Sequence, residues 1–97
     1  MAAISGQTTV AAAGTEVVLA AAGTRANCSV AIRALAGNTG VVYIGNAGDG
    51  TVSSSTGYEL SKGDQIILEY VGDLSVIMVD AATNGDKVSW MILKSMS

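Results

Sequence analysis

Three residue types are absent from this sequence, and a fourth is almost absent. The 97 residues include no proline, no histidine and no phenylalanine, and Cys28 is the only cysteine. Without histidine the chain lacks the commonest general base and a leading metal ligand. A single cysteine cannot close an internal disulfide, which argues against a small disulfide-stapled secreted domain. We therefore expect a protein that is not an enzyme and that uses no metal or other cofactor.

Charge is also scarce. Only 13% of the residues are charged, and the formal net charge is −3. The five basic residues are scattered along the chain and do not cluster around Trp90 or any tyrosine. A nucleic-acid-binding surface normally combines a basic patch with stacking aromatic rings. The sequence therefore predicts that nucleic acid is not a partner.

Long apolar runs are missing as well. No stretch approaches the roughly 20 apolar residues that a membrane-spanning helix needs. Residues 1–23 contain no lysine or arginine, so they lack the positively charged start of a signal peptide. We expect a chain with no membrane partner that is made in a cytoplasm and kept there until it is assembled.

A period of two dominates the pattern that remains. Between residues 27 and 35, Cys28, Val30, Ile32 and Ala34 alternate with small or polar residues, which is typical of a strand with one buried face. Cys28 is accordingly interpreted as a small buried hydrophobe. Similar patterns predict strands at residues 7–11, 16–20, 27–35, 41–45, 64–70, 74–80 and 87–93.

Turn signals separate these segments at intervals of about 8–12 residues, which is the spacing of a sandwich or small barrel. A Lys-Gly pair at residues 62–63 predicts a tight turn, and a Gly-Asp pair at residues 72–73 predicts a two-residue hairpin of type II′. An Asn-Gly pair at residues 84–85 predicts a type I′ turn or a slightly longer loop. Residues 46–56 are predicted to form an exposed loop.

These features predict one all-β domain over residues 1–97, a small antiparallel β-sandwich or jelly-roll-like barrel of about seven to eight strands. Residues 1–5 fit either an ordered strand edge or a flexible N-terminal arm. The last two predicted strands are apolar on both faces. Such strands lie either inside a sandwich or beneath an oligomer contact.

No segment matches a catalytic or ligand-binding motif. Residues 45–50 are rich in glycine but lack the Lys-Ser/Thr ending of a phosphate loop, and residues 80–86 lack the ligand spacing of a calcium loop. Trp90, the only tryptophan, fits either core packing or an anchor at a subunit contact. We expect the carboxylates that could act as an acid–base pair to lie in solvent at strand ends or polar faces, namely Asp64, Glu69, Asp73 and Asp80.

The order of elements from Ala31 onward is distinctive. The sequence Ala-Leu-Ala-Gly-Asn-Thr-Gly-Val-Val-Tyr-Ile-Gly at 34–45 is followed by Val-Ser-Ser-Ser-Thr-Gly-Tyr-Glu-Leu at 52–60. Gly-Asp at 63–64 then opens an apolar strand, and Gly-Asp-Leu-Ser and Val-Ser-Trp follow later in the chain. Over about two-thirds of the chain, this order resembles small tailed-bacteriophage virion proteins of the capsid decoration, or cement, kind.

The resemblance implies a small β-rich structural protein that binds the major capsid protein on the surface of the phage head. It also implies a homotrimer, made in the host cytoplasm, that clamps neighbouring capsid subunits and stabilises the shell. The alternative is a receptor- or glycan-binding module of a phage tail or head fibre, and a small hydrolase is a third hypothesis.

Two groups of residues are candidate contact sites. An edge strand has unpaired N–H and C=O groups, so it can bind a strand of another chain. Many copies on a lattice bind more strongly together than each copy does alone. The residues proposed for an oligomer or capsid contact are Gln7, Thr8, Thr9, Val10 and Trp90. The residues proposed for a ligand-facing loop are Ser53, Ser54 and Tyr58.

Overall fold

The chain forms strands and turns throughout the part that a computed structural model describes. The described residues are 5–20, 25–46 and 52–93, without the side chains of residues 25–28, 70 and 71. They contain eight strands in two four-stranded antiparallel sheets, which confirms the all-β prediction. The strands are β1 (Ser5–Thr9), β2 (Val17–Val18), β3 (Arg25–Ala34), β4 (Val42–Asn46), β5 (Tyr58–Leu60), β6 (Gln65–Asp73), β7 (Ile77–Ala81) and β8 (Lys87–Leu93).

The strand order is that of a double-sheet jelly roll. The first sheet has the order β1-β8-β3-β6, and the second has the order β2-β7-β4-β5. Each strand in the first half of the chain therefore pairs with its counterpart counted from the other end: β1 with β8, β2 with β7, β3 with β6 and β4 with β5. The chain is thus one long hairpin, and rolling it up joins β3 to β8 and β4 to β7.

The hydrophobic core lies between the two sheets. The alternation predicted for β3 places Val30, Ile32 and Ala34 on the inner face, where all three are fully buried. In the first sheet Ile32 lies opposite Ile66 on one side and Trp90 on the other. Burying a valine or isoleucine side chain of this kind contributes about 1.5–3 kcal/mol. The second sheet and the connections supply Val10, Leu19, Val42, Ile44, Leu60, Leu74, Ile77, Val79 and Ala81.

The outer faces of the two sheets differ. On the second sheet, Tyr43 and Asp80 lie opposite each other and are both buried. Loops cover them, because Gly14 N donates to the Asp80 carboxylate at 3.0 Å and a Cβ at Gly57 would lie only 2.5 Å from Tyr43 Cβ. The outer face of the first sheet has no such cover among the described residues. Of the two sheets, as far as the described residues form them, the first therefore presents the broader β-surface to solvent.

Two predicted turns are present. Gly63 has a φ of 87°, and Asp64 N donates to Ser61 O at 2.9 Å, so the predicted tight turn joins β5 to β6. The Asn-Gly pair lies in the longer loop between β7 and β8, where Gly85 has a φ of 84° and its N–H donates to Val10 O. Glycine is suited to both positions because a left-handed backbone costs other residues energy.

The predicted hairpin at residues 72–73 is wrong. Gly72 and Asp73 belong to β6, with Asp73 opposite Arg25 of β3, and Gly72 lacks the positive φ that a type II′ turn requires. The chain changes sheet instead through a 3₁₀ turn at Leu74–Val76. The Asp73 carboxylate caps this turn by accepting from Ser75 N at 2.9 Å. Strand β7 consequently begins three residues later than predicted, at Ile77.

Other boundaries also differ from the prediction. The second strand is only Val17–Val18, and the three-residue strand β5 is not among the predicted strands. Strand β1 begins at Ser5, while residues 1–4, which belong to the predicted arm, lie outside the described residues. Cys28 lies in β3, but its predicted burial cannot be compared because its side chain lies outside them too.

Candidate functional site

The predicted contact segment coincides with the edge strand β1 and the residue after it. Gln7 and Thr9 are exposed on the outer side of the strand. Thr8 points inward, and its hydroxyl donates to Leu19 O. Val10 is fully buried, and its N–H donates to Asp86 O at 2.9 Å. Gln7 and Thr9 are therefore the members of this segment whose side chains are open to a partner.

Strand β1 has a single strand neighbour, β8, among the described residues. Its sequence is Ser-Gly-Gln-Thr-Thr, with no charged residue and no proline. Proteins usually protect edge strands with charges, prolines or bulges, because an exposed edge pairs readily with another chain. The opposite edge strand, β6, carries Glu69 and Asp73 and pairs with β3 through register shifts. Strand β1 is thus the less protected edge of this sheet.

Trp90 supports this edge from inside the sandwich. It lies opposite Gly6 of β1 and packs against the core cluster. A Cβ at Gly6 would lie 2.9 Å from Trp90 Cζ2, so the glycine leaves the space that the indole ring occupies. The Trp90 Nε1 atom is buried and has no hydrogen-bond partner among the described residues. The structure therefore places Trp90 at the margin of the core, beneath β1.

The outer face of the first sheet is organised in rows that cross the strands. Met91, Ala31 and Ile67 are opposite one another and form an apolar row, with Met91 and Ile67 each 50% exposed. The next row is polar and contains Arg33, whose Nε donates to Gly63 O at 3.4 Å. A shallow groove of about 370 Å³ runs along these rows, lined by Ser5, Gly6, Gln7, Ala31, Arg33, Gln65, Ser89, Trp90 and Met91.

Tyr58 stands at a second opening, a cleft of about 450 Å³ between the edge strands β5 and β6. The tyrosine is 61% exposed. Its register opposite Ile44 places it on the core side of the second sheet, with Leu68 and Ile77 among the lining residues. The cleft therefore combines an apolar floor with an exposed aromatic ring, as small-molecule sites often do.

Ser53 and Ser54 lie apart from this cleft. Ser53 belongs to a turn in which Gly57 N donates to Ser53 O at 2.8 Å and the Ser53 and Thr56 hydroxyls are 3.3 Å apart. This turn is on the outer side of the second sheet, whereas Tyr58 faces inward. The structure does not bring the three residues of the predicted ligand-facing loop together on one surface.

The expectation that Asp80 lies in solvent is wrong, because only 2% of it is exposed. Its carboxylate accepts from Gly14 N at 3.0 Å and from Ala81 N at 2.8 Å. Asp86, which is 5% exposed, accepts from Thr39 N at 2.9 Å and Gly40 N at 2.8 Å. Both aspartates hold loops through backbone N–H groups, so their role is structural. The sequence gives no signal for this burial, because Glu69 also directly follows an apolar run and is exposed.

The described residues contain no group of three or more His, Cys, Asp or Glu residues that could hold a metal ion. They also contain no helix that is long and apolar enough to cross a membrane. No protein-family model matches the chain, and no curated protein matches it significantly. The candidate functional features of the described residues are the edge strand, the open sheet face and the cleft.

Proposed function

We propose that this chain is a structural phage virion protein that decorates the capsid and stabilises the shell as an oligomer. Its partner is the major capsid protein, and its location is the surface of the phage head. The observation that carries the proposal is the unprotected edge strand β1. A strand of a capsid subunit can extend the first sheet there, with main-chain hydrogen bonds providing affinity.

Three further considerations support this proposal. Double-sheet jelly rolls recur in viral capsid proteins, although this is an analogy of fold and not of site. The order of elements also resembles that of decoration proteins. In addition, binding to a capsid needs no catalytic residues, because many weak contacts on a lattice together give strong attachment through avidity.

The test is binding to shells that lack the protein. Purified chain is mixed with such shells and sedimented, and we expect the wild-type chain to cosediment and to raise the temperature at which the shells open. A variant that combines Gln7→Lys and Thr9→Lys should no longer cosediment, because charge on an edge strand opposes strand pairing. Gln65→Lys, on the opposite edge strand, is the matched control and should still bind. Absence of wild-type cosedimentation would contradict the proposal.

The second candidate function is glycan or receptor binding by a fibre module, which the exposed Tyr58 ring at the cleft favours. An aromatic ring beside a few polar groups is a common arrangement for binding an amphipathic ligand such as a sugar. A glycan array should then give hits with the wild-type chain that are lost in Tyr58→Ala. An array with no hits at high protein concentration would exclude this alternative.

A further inference from the structure

The outer face of the first sheet has the pattern of a surface that pairs with a copy of itself. Its apolar row, Met91–Ala31–Ile67, crosses the middle of the sheet. The flanking rows are mostly uncharged, with serine and glutamine side chains. Interface centres are depleted of charge and enriched in residues such as methionine. The face thus has an apolar centre that a partner of similar shape can cover.

Opposite charges lie on the two sides of this apolar row. Arg33 is two residues from Ala31 along β3 and lies opposite Gln65. Glu69 is two residues from Ile67 along β6, in the direction away from Gln65, at the register shift between β3 and β6, and it also lines the mouth of the cleft beside Tyr58. Both side chains are exposed. The face is therefore positive on one side of the row and negative on the other.

We propose that two copies of this chain pair face to face through this surface, about a twofold axis that runs along the apolar row. Rotation about that axis reverses the strand direction and lays each apolar row on its counterpart. The same rotation brings Arg33 of one copy next to Glu69 of the second copy. Because a twofold interface repeats every contact, the dimer contains two such ion pairs, one on each side of the apolar row.

The dimensions of the sheet fit a reversible dimer. Four strands about 4.8 Å apart and roughly seven residues long cover about 400 Å² on each copy. Two such faces bury about 800 Å² in total, which is below the roughly 1,200–2,000 Å² of stable interfaces and within the range of weak, transient ones. Sheets that pack face to face are about 10 Å apart, a gap that an arginine and a glutamate side chain can bridge. We therefore expect association that depends on protein concentration.

This pairing uses neither the capsid nor the free edge of β1, so it does not depend on the proposed function. It is tested on the isolated chain by analytical ultracentrifugation between about 10 μM and 1 mM, the range in which a weak interface associates. We expect a monomer–dimer equilibrium. Ile67→Lys should raise the dissociation constant at least tenfold, whereas Val76→Lys, at a similarly exposed apolar residue on the 3₁₀ turn, should leave it unchanged.

A charge exchange tests the geometry of the pairing. Arg33→Glu alone and Glu69→Arg alone should each raise the dissociation constant about tenfold, because like charges then face each other across the interface. The double variant should restore dimerisation. Within one chain the two residues are four positions out of register on neighbouring strands, so restoration reports contact between copies.

Three results would overturn the proposal. They are a wild-type chain that stays monomeric up to about 1 mM, a complex with the mass of three chains, as the homotrimer implied by the resemblance would give, and a double variant that does not recover dimerisation. Circular dichroism of every variant shows whether the substitution has affected the fold. All of the substituted side chains are exposed, so we expect each variant to retain the wild-type spectrum.

Discussion

At the scale of single residues, the buried Asp86 holds a loop of this sandwich in place. Asp86 accepts from Thr39 N and Gly40 N, and the neighbouring Asn38 amide exchanges two hydrogen bonds with the Lys87 backbone. These bonds attach the loop before β4 to the start of β8. A chain without a disulfide framework has to hold such loops by packing and hydrogen bonds, and buried polar groups need partners.

Asp86→Ala should lower the free energy of unfolding by about 3 kcal/mol, because two backbone N–H groups lose a charged acceptor in a partly buried position. Urea denaturation followed by Trp90 fluorescence measures the change. Asp64→Ala is the matched control, since Asp64 is an exposed carboxylate that accepts one N–H bond, from Ser61. An Asp86→Ala variant as stable as the Asp64→Ala variant would show that the buried carboxylate is dispensable.

Gly6 is the residue at which an added side chain would collide with Trp90. Gly6→Ala should cost about 1–3 kcal/mol, since the added Cβ overpacks the indole ring at a separation of 2.9 Å. Gly37→Ala, where a Cβ would meet no atom within 4 Å, should be close to neutral. Thermal melts of the two variants provide the comparison, and equal melting temperatures would contradict the described packing of Trp90 beneath β1.

At the scale of elements, the accuracy of the predicted bounds does not follow strand length, since the nine-residue strand β6 ends three residues beyond its predicted end. Strands β3, β4 and β8 differ from their predicted bounds by no more than two residues, because each alternates over several residues or is dense in β-branched side chains. Strand β5 has three residues, too few for a period of two to stand out. The Gly-Asp pair at 72–73 resembles a turn locally, but pairing with β3 keeps the backbone extended there.

Two glycines, one within β6 and one in the turn before it, should respond in opposite ways to alanine. Gly72→Ala should be neutral or stabilising by about 0.5 kcal/mol, because the backbone is extended, the space is open, and alanine reduces the entropy of the unfolded chain. Gly63→Ala should cost about 1 kcal/mol, because its φ is 87°. Chemical denaturation of both variants measures the difference. Destabilisation by Gly72→Ala would indicate that residues 72–73 form a turn after all.

The candidate site was only partly predictable from the sequence. The segment at residues 7–10 was identified, but its division into exposed Gln7 and Thr9, inward Thr8 and buried Val10 depends on the strand register. The apolar row of the first sheet joins Ala31, Ile67 and Met91 from three strands. Strand order sets such a row, and periodicity along one strand carries no information about its neighbours.

At the scale of the whole molecule, the jelly roll joins the two ends of the described chain, since β1 pairs with β8. Domains dominated by such distant pairings fold in milliseconds to seconds. The sequence has no proline, so proline isomerisation cannot add a phase of tens of seconds. Stopped-flow refolding followed by Trp90 fluorescence should be complete within seconds at 25 °C. A dominant slower phase would contradict this expectation.

We propose that an unprotected sheet edge attaches this protein to a phage head. Cryo-electron microscopy of the source particle at side-chain resolution tests this proposal. We predict density for the jelly roll on the outer surface of the head, with a strand of the capsid protein paired to β1. A complete virion map without this density on the head, or with the protein bound there through another surface while β1 is free, would contradict the proposal.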